Sequence, residues 1–108
     1  YALVFCAWEE DRLLGAVLAF STLQPDLFCL HKVFVDHASR GKGIGGALFG
    51  AMFVECDQRG VDCFLTVDPV NESAIRLYEN WGFTERKFVK GFYRPEEDRL
   101  VLTRRSRN

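Results

Sequence analysis

Apolar and polar residues fall in blocks along this chain, and the blocks change period where the architecture has to change. Ala2 to Trp8 and Leu13 to Phe20 are almost wholly apolar and rich in strand formers, with the charged quartet Glu9, Glu10, Asp11 and Arg12 between them. That pattern predicts an antiparallel hairpin. Ser21 to Asp26 carries Ser, Thr, Gln and Pro and reads as a connection into a third strand, Leu27 to Val35. The period then lengthens: Ile44, Ala47, Leu48, Ala51, Met52 and Cys56 recur at three- and four-residue spacing and predict a helix with this stripe buried, widened by Phe49 and Phe53. Gly60 stops the helix and Val61 to Val67 predicts a second inner strand, so that strand, helix and strand make a crossover unit with parallel strands.

Pro69 closes that strand, and Asn71 is a good N-cap for a second helix, Glu72 to Asn80. The helix turns Ala74, Leu77, Tyr78 and Trp81 inward and ends at Gly82. Phe83 to Tyr93 and Arg99 to Thr103 predict two further strands around the turn Arg94 to Asp98. The expected class is α/β (α+β), with a mixed, mostly antiparallel sheet and a central strand-helix-strand unit.

Composition narrows what such a fold could serve. The 108 residues, 48% hydrophobic and 14% aromatic, suffice for one packed domain, residues 1–108, and are too few for two. Lys plus Arg (14) nearly balance Asp plus Glu (15), and a net charge of -1 supplies no field for nucleic acid or a membrane surface. A small partner is expected. There is no apolar run of membrane-spanning length and no leader pattern, which fits a cytoplasmic protein. The first residue, Tyr1, is not Met and suggests a trimmed segment. Cys6, Cys29, Cys56 and Cys63 fall inside apolar patterns without a CxxC pair and read as buried free thiols, with no metal site expected. The basic tail Arg104, Arg105 and Arg107 reads as a frayed, solvated terminus.

The chemistry concentrates between Leu30 and Phe53, where LHKVFV feeds through DHAS into RGKGIGG and then into a helix. A glycine-rich loop leading into a helix N-terminus makes an anion site. Here the free N–H groups of Arg40, Gly41, Lys42, Gly43, Gly45 and Gly46 would converge on a phosphate-bearing ligand. Gly41, Gly43 and Gly46 satisfy GxGxxG and Asp68 ends the next strand, as a dinucleotide-binding fold would want. Two features argue against it: Asp36 to Arg40 separate strand from loop, and too little chain follows Asp68 for further parallel strands. A Walker A loop fails because Gly43 follows Lys42.

A second pattern uses more of the chain. R-x-x-G-x-G at Arg40, Gly43 and Gly45 follows the strand HKVFV, and downstream stands NESAIRLYENWGF, from Asn71 to Phe83. Together these resemble the two signature motifs of the GNAT superfamily, the acyl-CoA-dependent N-acyltransferases. The resemblance runs from Ala2 to about Thr103 and implies a GNAT-like sheet whose central unit binds acetyl-CoA as co-substrate. It implies that the backbone of Arg40, Gly41, Lys42, Gly43, Ile44, Gly45 and Gly46 holds the pyrophosphate. The strand around Val33, Phe34 and Val35 would pair with the pantetheine arm and polarise the thioester carbonyl, and Asn71 would contact the pantetheine as well as capping its helix.

Tyr78 matches the family tyrosine that protonates the leaving thiolate, and it also reads as an amphipathic core residue. The general base stays open. Peptide N-terminal acetyltransferases, which the chain resembles around LYENWGF, carry a Glu at the position matching Thr66. Arylalkylamine acetyltransferases carry a histidine at that of His31, which also suits a structural hydrogen-bonded role. Glutamate-dependent histone-type members have their base where Cys29 stands. The implied activity is transfer of an acetyl group to a primary amine, of a small molecule or a peptide, by direct attack in a ternary complex; a non-catalytic acyl-CoA-binding or interaction module is the alternative. The acidic turns Glu9 to Asp11 and Glu96 to Asp98 could draw a cationic amine, or be solvated hairpin turns. The chain lacks the strand and two helices with which family members begin, which implies either a missing portion or a covering partner, a homodimer among the possibilities.

Overall fold

The structure, a computed structural model, describes residues 2–92 and 94–107. Its elements run β1 (Ala2–Glu9), β2 (Arg12–Ser21), β3 (Leu27–Val35), a 3-10 turn (His37–Ser39), α1 (Ile44–Arg59), β4 (Asp62–Val67), α2 (Glu72–Asn80), β5 (Glu85–Val89) and β6 (Arg99–Arg104). The sheet has six strands in the order β1-β2-β3-β4-β6-β5. β3 and β4 pair parallel through the α1 crossover, and the other neighbours pair antiparallel. The expected class and the crossover unit are both present.

Strand alternation decides which side α1 can occupy. Leu3, Val17, Ala19, Phe28 and Leu30 point to one face of the first three strands and pack with Leu48, Met52 and Cys56 of α1. Met52 is fully buried, which stabilises the fold by about 1.5–3 kcal/mol. Gly15 lets the helix come this close: a Cβ there would stand 2.8 Å from the Phe34 carbonyl oxygen and 3.2 Å from Leu48 Cδ1. The buried stripe of α1 is rotated from the expected one. Leu48, Phe49, Met52, Phe53 and Cys56 are inside, whereas Ala47 and Ala51 face solvent. Two phenylalanines remove far more apolar surface from water than two alanines, so they set the rotation.

The end of α2 explains a second difference. Gly82, at φ +99°, takes the left-handed position that glycine adopts without strain. Its N–H donates to the Glu79 carbonyl at 3.1 Å, and the Phe83 N–H donates to the Tyr78 carbonyl at 3.1 Å. This is a Schellman cap, with the apolar contact that accompanies it supplied by the Tyr78 and Phe83 rings, 6.1 Å apart. The cap uses the Phe83 N–H and buries its side chain, so β5 begins only at Glu85. β5 ends at Val89, short of the expected Tyr93, which lies outside the described residues. Leu77, expected inside, is 49% exposed, and Ile75 takes the buried place.

The basic tail is not frayed. Arg104, 4% exposed, donates to both carboxylate oxygens of Asp57 at 3.0 and 3.1 Å and lies over the Phe53 ring, 4.2 Å from its centroid. Arg105 donates to Glu85 and Asp62, while the Ser106 and Arg107 N–H groups donate to Asp62 and Asp57. The cysteines also differ from expectation: Cys56 and Cys63 are buried, Cys29 is intermediate and Cys6 is exposed. Cys6 falls on the face of β1 opposite Leu3, where no helix covers it.

Candidate functional site

The parallel strands β3 and β4 begin together and then part. Leu27, Phe28 and Cys29 pair with Asp62, Cys63 and Phe64, and the ladder goes no further. From Leu30 onward β3 has no strand on its β4 side, which leaves an open edge of backbone inside the sheet. On its other side, Ala19 pairs with Leu30 and Leu18 with Lys32, so His31 is an extra residue, a β-bulge. Bulges bend a strand and increase its twist, and this one stands where β3 diverges.

Two cavities share the resulting wedge, and Val33 lines both. The first, about 250 Å³, is lined by Leu30, His31, Lys32 and Val33 of β3, Leu65 and Thr66 of β4, and Tyr78 of α2. The second, about 460 Å³ and largely apolar, lies among Val33, Phe34, Val35, Arg40, Gly45, Gly46, Phe49, Leu77 and Trp81. It runs from the open edge of β3 to the first turn of α1.

That first turn leaves backbone donors free. Gly43, at φ +76°, caps α1, and the Ala47 N–H makes the first intrahelical bond, 3.0 Å to the Gly43 carbonyl. The N–H groups of Ile44, Gly45 and Gly46 therefore precede the hydrogen-bonded ladder and carry the positive end of the helix dipole. Gly41, Lys42 and Gly43 stand exposed before it. The glycines have separate reasons. Around Gly41 and Gly43 a Cβ would meet open space, and positive φ selects them, while at Gly46 a Cβ would approach Trp81 Cη2 to 3.0 Å. Arg40 folds back on the strand, its Nε donating to the Val35 carbonyl at 3.2 Å.

Tyr78 is held from behind by aromatic rings. Phe49 and Phe83 meet its ring edge-on at 6.4 and 6.1 Å, and Trp81 stacks on Phe49 at 5.2 Å. Burial pushes the Tyr78 phenol above its ordinary value, so it stays protonated at neutral pH. Across the wedge, the His31 ring stands edge-on to Phe20 at 5.2 Å, on the sheet face away from α1. Burial also raises the Cys29 thiol and pushes that of Cys63 up to about 12. Neither is a thiolate at neutral pH.

Of the residues singled out in the sequence, the wedge gathers His31, Val33, Phe34, Val35, Arg40, Gly45, Gly46 and Tyr78. Asn71 lines neither cavity: its Oδ1 accepts from the Ala74 N–H and the Ser73 hydroxyl, both at 3.2 Å. Ile44 packs against the core. The acidic turns stand elsewhere. Asp36, at the foot of the Glu9–Arg12 turn, pairs with Arg12, and Glu96 and Asp98 border a different cavity with Asp68 and Phe88. Sequence reasoning passed over Lys32, Trp81 and Leu77 as lining residues, although a His-Lys pair interrupting an apolar strand was a visible signal. Another cavity, about 400 Å³, has Asp62 and Arg105 in its wall, which pair with each other.

Comparison with known proteins bears on the family and the fold. The model of the acetyltransferase (GNAT) family matches residues 1–83. The ribosomal protein bS18-alanine N-acetyltransferase of Escherichia coli is 33% identical over 94 residues, which cover 82% of this chain and 64% of that protein. The crystal structure of the E. coli ribosomal-protein-S18-alanine N-acetyltransferase superposes with a TM-score of 0.80 at 27% identity, covering 99% of this chain and 71% of the other. A GNAT family acetyltransferase from Elizabethkingia anophelis with acetyl-CoA bound shares the fold, with a TM-score of 0.78 at 16% identity over 94% of this chain and 74% of its own. The chain spans less than two thirds of the length of the first curated relatives it matches. Among the described residues no helix is long and apolar enough to cross a membrane.

Proposed function

Because the chain belongs to the acetyltransferase (GNAT) family, we propose that residues 1–108 form one domain that transfers an acetyl group from acetyl-CoA to a primary amine by direct attack in a ternary complex. The observation that carries this reading is the wedge itself. It joins a helix terminus with free donors, an unpaired strand edge and a half-buried tyrosine in one continuous path through Val33. The N–H groups of residues 40–46 would hold the pyrophosphate. The edge at Val33, Phe34 and Val35 would take the pantetheine arm as an added strand and polarise the thioester carbonyl. Asn71 would contribute only what its capping role leaves over, its side-chain NH2.

The amine nitrogen attacks the thioester carbon, and a carbon–nitrogen bond forms. As the tetrahedral intermediate collapses, the carbon–sulfur bond breaks and its electron pair stays on sulfur. Tyr78 delivers a proton to that sulfur during the cleavage. A thiolate whose thiol has a pKa near 8.5 is a weaker base than a phenolate whose phenol has one near 10, and burial raises the phenol further, so transfer is driven by the bond breaking and Tyr78 readily recovers its proton. The proton lost by the amine leaves through His31 or a water chain on the opposite face of the wedge. Direct attack is favoured over an acetyl-cysteine intermediate because burial keeps the nearby thiols protonated.

The bS18-alanine N-acetyltransferase relative supports an amine acceptor. A cytoplasmic setting suits the four free thiols. A homodimer is the reading for the uncovered edge of the sheet at β1, where Val4 and Trp8 are 55% and 60% exposed. Clean monomer in light scattering at high concentration removes that part. The central reading is tested by calorimetry with acetyl-CoA and by thiol release over a panel of amines. Binding with acceptor-dependent release is expected, and absence of either overturns it.

A further inference from the structure

The charge of the wedge is one-sided. Among the described residues, the cavity that holds Tyr78 has Lys32 and His31 in its wall and no carboxylate. Lys32 makes no hydrogen bond or ion pair among the described residues. Its cross-strand neighbour is Leu18, and beyond that stands Val4, so the row of sheet that carries it is otherwise apolar. Of the acidic groups named above, Asp36 pairs with Arg12, Glu97 stands between Arg94 and Arg99, Asp98 accepts from the Gly91 N–H, and Glu96 borders a different cavity.

An alkylammonium ion approaching this cavity meets a cation with nothing to offset it. A carboxylate on the acceptor reverses the sign of that encounter. Lys32 directly follows His31 at the bulge and precedes the edge assigned to the pantetheine, so it stands on the acceptor's side of the thioester. We infer that the acceptor is an amine carrying a carboxylate close to the reacting nitrogen, with the Lys32 ammonium as that carboxylate's counter-ion. The inference rests on the acetyltransferase reading and names its substrate class. A free amino acid and a peptide N-terminus beside an acidic residue share this chemistry.

Two matched pairs separate those sources: β-alanine against β-alaninamide, and amidated tetrapeptides with Asp against Asn in the second position. Thiol release is followed with each, and kcat/KM is normalised to the free-amine fraction. The carboxylate member of at least one pair is expected to be about fivefold better, a modest factor because Lys32 is exposed, and the advantage should shrink as salt shortens the Debye length. The pair that shows it identifies the source. Lys32→Gln should bring the ratio to about one and Lys32→Glu should invert it, while calorimetric binding of acetyl-CoA reports that the variants are folded. Ratios of one or less in both pairs, with thiol release proceeding, overturn the inference alone. A preference that survives Lys32→Gln also overturns it. No release with any amine overturns the acetyltransferase reading and this inference with it.

Discussion

Two basic stretches of this chain are built in opposite ways. In the loop from Arg40 to Gly46 the backbone N–H groups at the start of α1 have no partner among the described residues, Lys42 is exposed, and glycines keep the approach open. At the end of β6 nearly every donor is spoken for: Arg104 takes both oxygens of Asp57, Arg105 bridges Glu85 and Asp62, and two backbone N–H groups close the remaining carboxylate positions. Among the described residues, Arg104 Nε is buried without a hydrogen bond against Gly82, and the exposed Arg107 side chain stands beside it. Positive charge with its counter-ions supplied by the chain is scaffold; donors left over by the fold are available to a ligand. The aromatic cluster couples the two regions, since Phe53 lies under Arg104 and packs on Phe49, which packs on Tyr78 and Trp81.

The comparison predicts that a site variant loses activity without losing stability, and a scaffold variant the reverse. Tyr78→Phe has the largest expected effect: a fall in kcat of about 10²-fold or more, the usual worth of a positioned acid, with acetyl-CoA affinity and melting temperature little changed. Thiol-release kinetics and a thermal melt read the two quantities, and unchanged turnover removes Tyr78 from the mechanism. Asp57→Ala should do the opposite. It strands a guanidinium that is 4% exposed, a loss of about 3–5 kcal/mol, while the folded fraction keeps its kcat. Denaturant titration tests this, and a cost below about 1 kcal/mol would show that the Arg104 pair is not the clamp it looks like.

Between these extremes stands Gly46→Ala, which touches both properties. Its Cβ would reach 3.0 Å from Trp81 Cη2, so the indole must shift from Phe49 or α1 must lift. A cost of about 1–2 kcal/mol is expected, together with weaker acetyl-CoA binding in calorimetry. Gly45→Ala is the control, because its Cβ would meet Val35 Cγ2 at an ordinary 3.7 Å. If Gly45→Ala destabilises as much as Gly46→Ala, the contact with Trp81 is not the cause.

The sequence showed most of the fold and only part of what lines the candidate site, and the division has a physical basis. Local signals were enough for the meander, the crossover and both helix ends, because alternation, period and glycine stops are encoded within a few residues. The rotation of α1 was missed because Ala47 and Ala51 fit the spacing as well as Phe49 and Phe53, and only their size decides between them. The loop and Tyr78 were legible as motifs. The wedge was not, since it arises from where the β3–β4 ladder stops, a long-range property to which His31 contributes by being the odd residue in its register. The tail was misread for a related reason: Arg104 to Arg107 look solvated until Asp57 and Asp62, some 45 positions earlier, are brought beside them.

The smallest expected effect separates the two regions by pH. Asp57 is held below the usual carboxylate range, first by its hydrogen bonds from Arg104, which outweigh burial. For Asp62 burial is the largest influence and pushes upward, yet the Ser106 N–H and Arg105 together leave it lowered. A group whose folded value lies below its unfolded value, about 3.9 for Asp, contributes stability that is complete above that value. The contribution is lost as pH falls through the folded value. Unfolding free energy measured in urea should therefore be flat from pH 7 to about 5 and decline below about 4. Asp62→Asn should make that decline shallower, because one carboxylate that takes up a proton on unfolding is gone. The same scan of a Lys42→Gln variant should match the wild type, since Lys42 makes no hydrogen bond or ion pair among the described residues. A change of acid slope in Lys42→Gln, or none in Asp62→Asn, would break the division between a terminus whose charges hold the fold and a loop whose charges wait for a ligand.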